Sequence, residues 1–135
     1  MIFIDTNIFL RVLLNDHASF SKACRILLKK IEAGTVHAVT TDLVVAELVF
    51  ILQKQTQIPL TRRDIFRMLN PILSINDLST PSKKHWEAIF EIYVQKNIDF
   101  IDAYNMVVMR SEGIEKAYSY DHDFDKAGVL KRIEP

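Results

Sequence analysis

Short apolar segments alternate along the chain with longer stretches in which apolar residues recur at helical spacing. The apolar segments predict strands at residues 2–5, 36–40 and 116–120, with weaker candidates at 73–78 and 130–133. We expect the first of these strands to be fully buried. Because helical segments separate the strands, the pattern predicts an α/β domain with a parallel sheet of four to five strands.

Start and stop signals place helices between the strands. We expect helices over residues 7–14 and 20–31, the second ended by Gly34. Thr80 and Pro81 open a later helix. The apolar face of that helix carries Trp86, Ile89, Phe90 and Tyr93.

Paired polar residues mark the starts of two more helices. Thr61 and Asp64 form a capping-box pattern. Asp99 and Asp102 repeat that spacing before a helix that stops at Gly113. These signals predict a helix after residue 61 and another after residue 99.

The composition is that of one globular domain. The chain has 135 residues, of which 49% are hydrophobic, so a single domain over residues 1–135 can build one sizeable core. Its 17 basic and 17 acidic residues give a formal net charge of zero. Net charge alone therefore predicts no polyanionic partner.

No segment favours export or membrane insertion. Asp5 and Asn7 interrupt the N-terminal apolar run, which excludes a signal peptide there. The longest apolar stretch, residues 43–52, is far shorter than the roughly 20 residues of a membrane span. The single cysteine, Cys24, excludes a disulfide within the chain and suits a reducing compartment. We therefore expect a cytoplasmic protein.

Carboxylates stand at the ends of two predicted strands. Asp5 ends the first strand and Asp121 follows the fourth. Ligands of open parallel sheets bind beyond the carboxyl ends of the strands, so both side chains can face one crevice. The alternative is that each aspartate only caps the helix that follows it.

Two further acids lie on predicted helices. The apolar face of the long helix that begins at Thr41 or Asp42 carries Leu43, Ala46, Phe50 and Ile51. Glu47 shares that face, so we expect it to point toward the sheet, the alternative being a side chain that bends out to solvent. Asp102 lies in the first turn of its helix on a stripe that turns inward, although the helix dipole alone can explain an acid there.

The acids together predict a cation site. Carboxylates from separate elements repel one another unless a cation neutralises them. Ligands that are all oxygen favour Mg²⁺ or Mn²⁺ over zinc, and the four histidines form no spaced pair. The segment YDHDFDKAG adds Asp123 and Asp125, for which a solvated acidic turn is the alternative.

Four short motifs occur in an order that resembles the PIN domain family, most closely its VapC-type ribonuclease toxins. They are FIDTNIFL at the start, TTDLVVAEL in the middle, DFIDAYNMVV near residue 100 and YSYDHDF near the end. The ordered set spans nearly the whole chain. The resemblance implies a three-layer α/β/α domain with a central, mostly parallel sheet.

The resemblance also implies a set of site residues. The family's metal-binding carboxylates fall on Asp5, Glu47, Asp102 and Asp121, with Asp123 as an additional ligand. Thr6 and Asn7 match the polar residues that follow the first aspartate. Ser119 stands where the family usually has threonine, and Asn105 where an apolar residue is more common. Neither departure removes a carboxylate.

The activity implied by the resemblance is RNA hydrolysis by an endoribonuclease that depends on Mg²⁺ or Mn²⁺. Asp5, Asp102 and Asp121 would hold one or two ions, while Glu47 would either ligate metal or act as a base toward the attacking water. Such enzymes are usually homodimers paired with a small antitoxin protein. The apolar segment 43–73 independently favours dimerisation.

The charge outside the site is compatible with an RNA substrate. Without the five site carboxylates, 12 acids remain against 17 bases. The candidate phosphate contacts are Arg11, Arg62, Arg63, Arg67, Lys83 and Lys84. Two other functions stay open, a receiver- or phosphatase-like domain that binds Mg²⁺ and a non-catalytic binding module of the same fold.

Overall fold

The computed structural model describes residues 1–55 and 57–135, and these form two compact units, residues 1–83 and 84–135. The elements of the first unit are β1 (Ile2–Phe3), α1 (Thr6–Leu14), α2 (Ala18–Glu32), β2 (Ala38–Val39), α3 (Asp42–Lys54), α4 (Arg62–Leu73) and β3 (Leu78–Ser79). The second unit contains α5 (Trp86–Gln95), α6 (Phe100–Ser111), β4 (Lys116–Tyr118), α7 (Asp123–Ala127) and β5 (Lys131–Ile133).

The first unit contains a parallel sheet with strand order β1-β2-β3. Ile2 lies opposite Ala38, and Ala38 lies opposite Leu78. Parallel neighbours need a long crossover connection, and here each crossover is a pair of helices. The pair α1 and α2 joins the first two strands, and α3 and α4 join the next two.

The carboxyl end of β1 is fixed to β2 beyond the two paired residues. The amide of Ile4 donates a hydrogen bond to the Val39 carbonyl oxygen at 2.9 Å. The hydroxyl of Thr40, which is buried, donates to the Ile4 carbonyl oxygen at 2.8 Å. A buried hydroxyl needs such a partner, so these bonds hold the chain in one position just before Asp5.

Two predictions about the strands were wrong in detail. Ile2 and Phe3 are about half exposed, at 55% and 54%, because β1 is an edge strand of its three-stranded sheet, whereas Ile4 is buried. The third strand is Leu78–Ser79 rather than residues 73–78. Ile72 and Leu73 instead continue the helical spacing of the buried residues of α4, which keeps the chain helical to residue 73.

The predicted buried face of α3 was also wrong. Its buried residues are Val44, Val45, Leu48, Val49 and Leu52. Leu43 is 80% exposed and Phe50 is 54% exposed, so the face that carries them is turned to solvent. Apolar residues occur on both sides of this helix, and periodicity alone could not decide which side packs inward.

The predicted helix caps of the first unit are confirmed. Thr41 is the N-cap of α3, and its hydroxyl accepts a hydrogen bond from the Val44 amide at 3.2 Å. Thr61 and Asp64 form a complete capping box at the start of α4. The Asp64 carboxylate accepts from the Thr61 amide at 2.9 Å, and the Thr61 hydroxyl accepts from the Asp64 amide at 3.1 Å.

An aromatic cluster forms the core of the second unit. Trp86, Phe90 and Tyr93 of α5 pack against Phe100 of α6, with ring centroids 5.3 to 6.3 Å apart. The inward face predicted for α5 is therefore confirmed. The helix itself begins at Trp86, after a 3₁₀ turn at Lys83–His85, and not at Thr80 and Pro81 as predicted.

The α/β class with parallel strands is confirmed. The two strands of the second unit are parallel, with Lys116 opposite Lys131 and Tyr118 opposite Ile133. The five strands of the described residues are thus paired as three in one unit and two in the other. A single domain over residues 1–135 stays a prediction. Among the described residues, none of the helices has both the length and the apolar character needed to span a bilayer.

Candidate active site

Asp5 and Asn7 lie where the chain leaves β1 and enters α1. Asp5 is the N-cap residue of α1, with extended backbone angles of φ −84° and ψ 160°. The Asn7 side-chain amide donates to Asp5 Oδ2 at 3.1 Å. Both residues are exposed, so Asp5 follows the strand as predicted without being buried itself. Asn7 fixes one carboxylate oxygen of Asp5 and thereby orients the group.

A hydrogen bond between side chains joins α1 to α3. The hydroxyl of Thr6, which is buried, donates to Glu47 Oε2. Glu47 itself is exposed, because it lies on the solvent face of α3 with Leu43 and Phe50. The prediction that Glu47 points inward was therefore wrong. The buried hydroxyl still gives this carboxylate a defined position beside the start of α1.

Asp102 lies among other carboxylates in the second unit. It is half-buried in the first turn of α6. Burial raises the pKa of the Asp102 carboxyl, and the charges of Asp121, Asp99 and Asp123 raise that pKa further. These four aspartates, which we call the acidic cluster, produce a negative potential that favours a bound cation.

Hydrogen bonds to the backbone shape the loop that carries Asp121 and Asp123. The Ser119 hydroxyl accepts from the Asp121 amide at 2.9 Å. Asp121 Oδ1 in turn accepts from the Asp123 amide at 2.8 Å. The two turns closed by these side chains are a usual role of serine and aspartate in loops. The second bond fixes Oδ1 and thereby orients the Asp121 carboxylate.

Asp123 already has a cationic partner. Lys126 Nζ lies 2.5 Å from Asp123 Oδ1, and the hydrogen bond between them raises the pKa of Lys126. No role was predicted for Lys126, although its spacing of three residues from Asp123 on one helix is typical of an ion pair. A metal ion that used Asp123 as a ligand would have to displace this ammonium group.

The candidate phosphate contacts lie in different settings. Arg11 is paired with Asp16 at 3.0 Å. Arg62 and Arg63 are the first two residues of α4, and Lys84 is exposed. Lys83 Nζ donates to the carbonyl oxygens of Ile75 and Leu78, and burial lowers its pKa. Lys83 thus holds the turn before β3, and a phosphate could reach its ammonium group only in competition with those bonds.

The donor chemistry of these residues suits a hard divalent cation. Carboxylate oxygens are the ligands that Mg²⁺ and Mn²⁺ prefer, and the mutual repulsion around Asp102 is what such an ion would relieve. Within residues 1–55 and 57–135, no group of three or more His, Cys, Asp or Glu side chains is arranged to hold a metal ion. These residues therefore match a divalent cation in their charge and in the type of donor atom.

Parallel strands joined by helices define an α/β class of domain, and the acidic cluster of this chain lies beside the start of one of its helices, α6. The family model for the PIN domain matches residues 2–130, so the chain belongs to the PIN domain family. Its helix-rich fold with parallel strands is consistent with the three-layer α/β/α architecture of that family. PIN domains are generally metal-dependent nucleases. A search of curated proteins found no match.

Proposed function

We propose that this protein is a divalent-metal-dependent endoribonuclease of the VapC type, the toxin of a toxin–antitoxin pair. The observation that carries the proposal is the match of the PIN family model over residues 2–130. The acidic cluster supports it, because burial and the charges of Asp121, Asp99 and Asp123 raise the pKa of Asp102. Carboxylates held together in this way fit phosphodiester hydrolysis assisted by a hard cation.

The proposed metal ligands are Asp5, Glu47, Asp102 and Asp121. One or two Mg²⁺ or Mn²⁺ ions bound by them would supply the Lewis acidity that activates water and offsets charge at the scissile phosphate. Asn7 orients the Asp5 carboxylate through the 3.1 Å hydrogen bond. Asp123 is an additional ligand whose use requires release of Lys126.

Glu47 has two proposed roles, as a ligand or as the base that takes a proton from water. The Thr6 hydroxyl occupies Oε2 of Glu47, which leaves Oε1 for either role. A base must be held within hydrogen-bond reach of the water that it deprotonates, and a buried donor at its other oxygen provides that fixed orientation. Thr6 is therefore a positioning residue in this proposal.

The proposed substrate is RNA, and its phosphates would contact basic side chains. Arg63 at the start of α4 and Lys84 are the best candidates because both are exposed, and Arg62 is a further candidate. Arg11 and Lys83 would first have to leave Asp16 and two backbone carbonyl oxygens, respectively. The excess of bases outside the carboxylates favours a polyanion.

The proposed assembly is a homodimer that is inhibited by a small antitoxin protein. The apolar segment 43–73 supports the dimer, because Ile58, which lies between α3 and α4, is 69% exposed. Cys24 is buried and forms no disulfide, which suits the reducing cytoplasm proposed as its location.

The deciding experiment measures cleavage of single-stranded and structured RNA with Mn²⁺, with Mg²⁺ and with excess EDTA. We expect cleavage only with a metal ion, and a loss of at least about 100-fold in Asp102→Asn and Asp5→Asn, because each removes a charged ligand. Glu87→Gln is the matched control for Asp102→Asn, since Glu87 is an exposed acid in the first turn of α5. Cleavage that persists in EDTA, or in both aspartate variants, would overturn the proposal.

A receiver- or phosphatase-like activity is the second candidate. The ion pair of Lys126 with Asp123 favours it, because such domains need a lysine beside the acid that accepts phosphate. Labelling of the protein by acetyl phosphate, lost in Asp5→Asn or Asp121→Asn, would support this alternative. A non-catalytic module would show neither cleavage nor labelling, and Mn²⁺ would leave its melting temperature unchanged.

A further inference from the structure

The loop that carries Asp121 and Asp123 is held at both ends by one arginine. Arg132 lies on β5, and its side chain is only 13% exposed. Its Nε donates to Asp125 Oδ2 at 2.9 Å, and its Nη1 donates to the Ser119 carbonyl oxygen at 3.1 Å. Ser119 precedes the two acids and Asp125 follows them, so the guanidinium group bridges residues on either side of the loop.

The geometry of a guanidinium group makes this bridge stiff. Its donors lie in one plane at fixed separations, so two acceptors bound to it cannot move independently. Between these anchors the loop contains the hydrogen bonds from the Asp121 amide to the Ser119 hydroxyl and from the Asp123 amide to Asp121 Oδ1. Ser119 accepts from Arg132 through its carbonyl oxygen and from the Asp121 amide through its hydroxyl. Arg132 therefore affects the orientation of the Asp121 carboxylate through Ser119.

We propose that Arg132 is a positioning residue for metal binding, because it holds the loop of residues 119–122 and the start of α7 in the conformation that presents Asp121 to the cation. This inference rests on the function proposed above, since it assumes that a metal ion binds at Asp121. Arg132 lies beyond residues 2–130, the span matched by the family model. The role is therefore assigned by the contacts of this chain.

The sign of the change in Mn²⁺ affinity on replacing Arg132 distinguishes a positioning role from a purely electrostatic one. Arg132 carries a positive charge close to the acidic loop, so its charge alone opposes a bound cation. Removal of that charge would by itself strengthen metal binding. Positioning predicts the opposite, because a loop without its bridge presents Asp121 in many orientations and binds the ion more weakly.

The experiment measures the affinity of the whole chain for Mn²⁺ by isothermal titration calorimetry, with melting temperatures recorded alongside. In Arg132→Met we expect the affinity to fall about tenfold or more. In Arg132→Lys the charge is kept, but one ammonium group cannot match both anchors, so we expect an intermediate loss. The lysine variant also keeps the test valid if the methionine variant does not fold.

Arg110→Met is the matched control. Arg110 forms an ion pair with Glu115 at 3.1 Å in the same unit, and its loss removes the same charge. We expect its Mn²⁺ affinity to stay the same or to rise slightly. An affinity that is unchanged or higher in both Arg132 variants would overturn the inference, whatever their melting temperatures.

Amide hydrogen exchange of the metal-free protein distinguishes this failure from failure of the proposed function. The amides of Asp121 and Asp123 donate within the loop, and we expect them to exchange at least about tenfold faster in Arg132→Met. Equal exchange would show that Arg132 does not hold the loop. Faster exchange in Arg132→Met, together with a wild type that binds no Mn²⁺, would keep the bridge but overturn both the metal site and the positioning role.

Discussion

At the residue scale, side chains that contact their close sequence neighbours were predictable, and those with distant partners were not. The pairing of Thr61 with Asp64 spans three residues and follows from the capping pattern. The bond from Thr6 to Glu47 spans 41 positions, and no local pattern indicates it. The contacts of Arg132 with Ser119 were missed for the same reason, since they span 13 positions.

We expect the Asp102 carboxylate to lower the stability of the metal-free protein, although the proposed activity depends on it. Because burial and three neighbouring acids raise its folded pKa, its ionised form destabilises the metal-free protein. Stability should therefore fall as pH rises from the ordinary pKa of 3.8 through the raised folded value. We expect Asp102→Asn to melt at a higher temperature than the wild type at pH 7 in EDTA, measured by circular dichroism.

Added Mn²⁺ should reverse the order of the two melting temperatures, so that the wild type melts above Asp102→Asn. The ion stabilises the wild type by mass action, and the variant without its carboxylate gains less. Glu87→Gln, which changes an exposed acid on a neighbouring helix, should follow the wild type in both conditions. A lower melting temperature for Asp102→Asn in EDTA would show that repulsion in the acidic cluster does not weaken the fold.

At the scale of the elements, the class of most elements was predictable, while the short helix α7 and some bounds and faces were not. The helix after Thr61 begins where predicted because its cap is encoded locally. The third strand was misplaced because Ile72 and Leu73 suit a buried strand as well as a buried helical turn. The orientation of α3 depends on which neighbours cover it, and a helix with apolar residues on both sides does not encode that choice.

The capping box of α4 allows a direct test at this scale. Thr61→Ala removes the hydroxyl that accepts from the Asp64 amide, so we expect a loss of about 1 kcal/mol in the free energy of unfolding by urea. Thr35→Ala is a suitable control, because that exposed hydroxyl bonds a backbone carbonyl but caps no helix start. Equal losses in the two variants would argue against a special role for the cap.

The pH dependence of the same cap has the opposite sign to that of Asp102. Hydrogen bonds from the Thr61 backbone and then its side chain lower the pKa of Asp64. The stabilisation of the folded state by ionised Asp64 is thus complete above the ordinary pKa of 3.8, and it is lost as pH falls through the lower folded pKa. The stability difference between wild type and Asp64→Ala should accordingly shrink in acid.

At the scale of the whole molecule, membership of the PIN family was indicated by four ordered motifs and is shown by the match over residues 2–130. The α/β class with parallel strands followed from the alternation of strands and helices. Assembly depends on surfaces whose partners lie outside the chain, and exposed apolar residues such as Ile26, Ile58 and Ile101 are the features of this chain that bear on it.

The proposed dimer can be tested at the exposed end of the apolar segment 43–73. If Ile58 lies in the contact, the wild type should sediment as a dimer at micromolar concentration, and Ile58→Glu should sediment as a monomer. Ile26→Glu alters another exposed apolar residue, on α2, and should leave the dimer intact. A wild type that stays monomeric at every concentration would exclude this assembly.

The aromatic core of the second unit also provides a spectroscopic probe. Trp86 is the only tryptophan of the chain and is 4% exposed, packed near Phe100. Intrinsic fluorescence excited at the indole band therefore reports on residues 84–135, while far-ultraviolet dichroism sums the helices of both units. Superimposable denaturation curves from the two signals would mean that the units unfold cooperatively, and separate curves would mean that they do not.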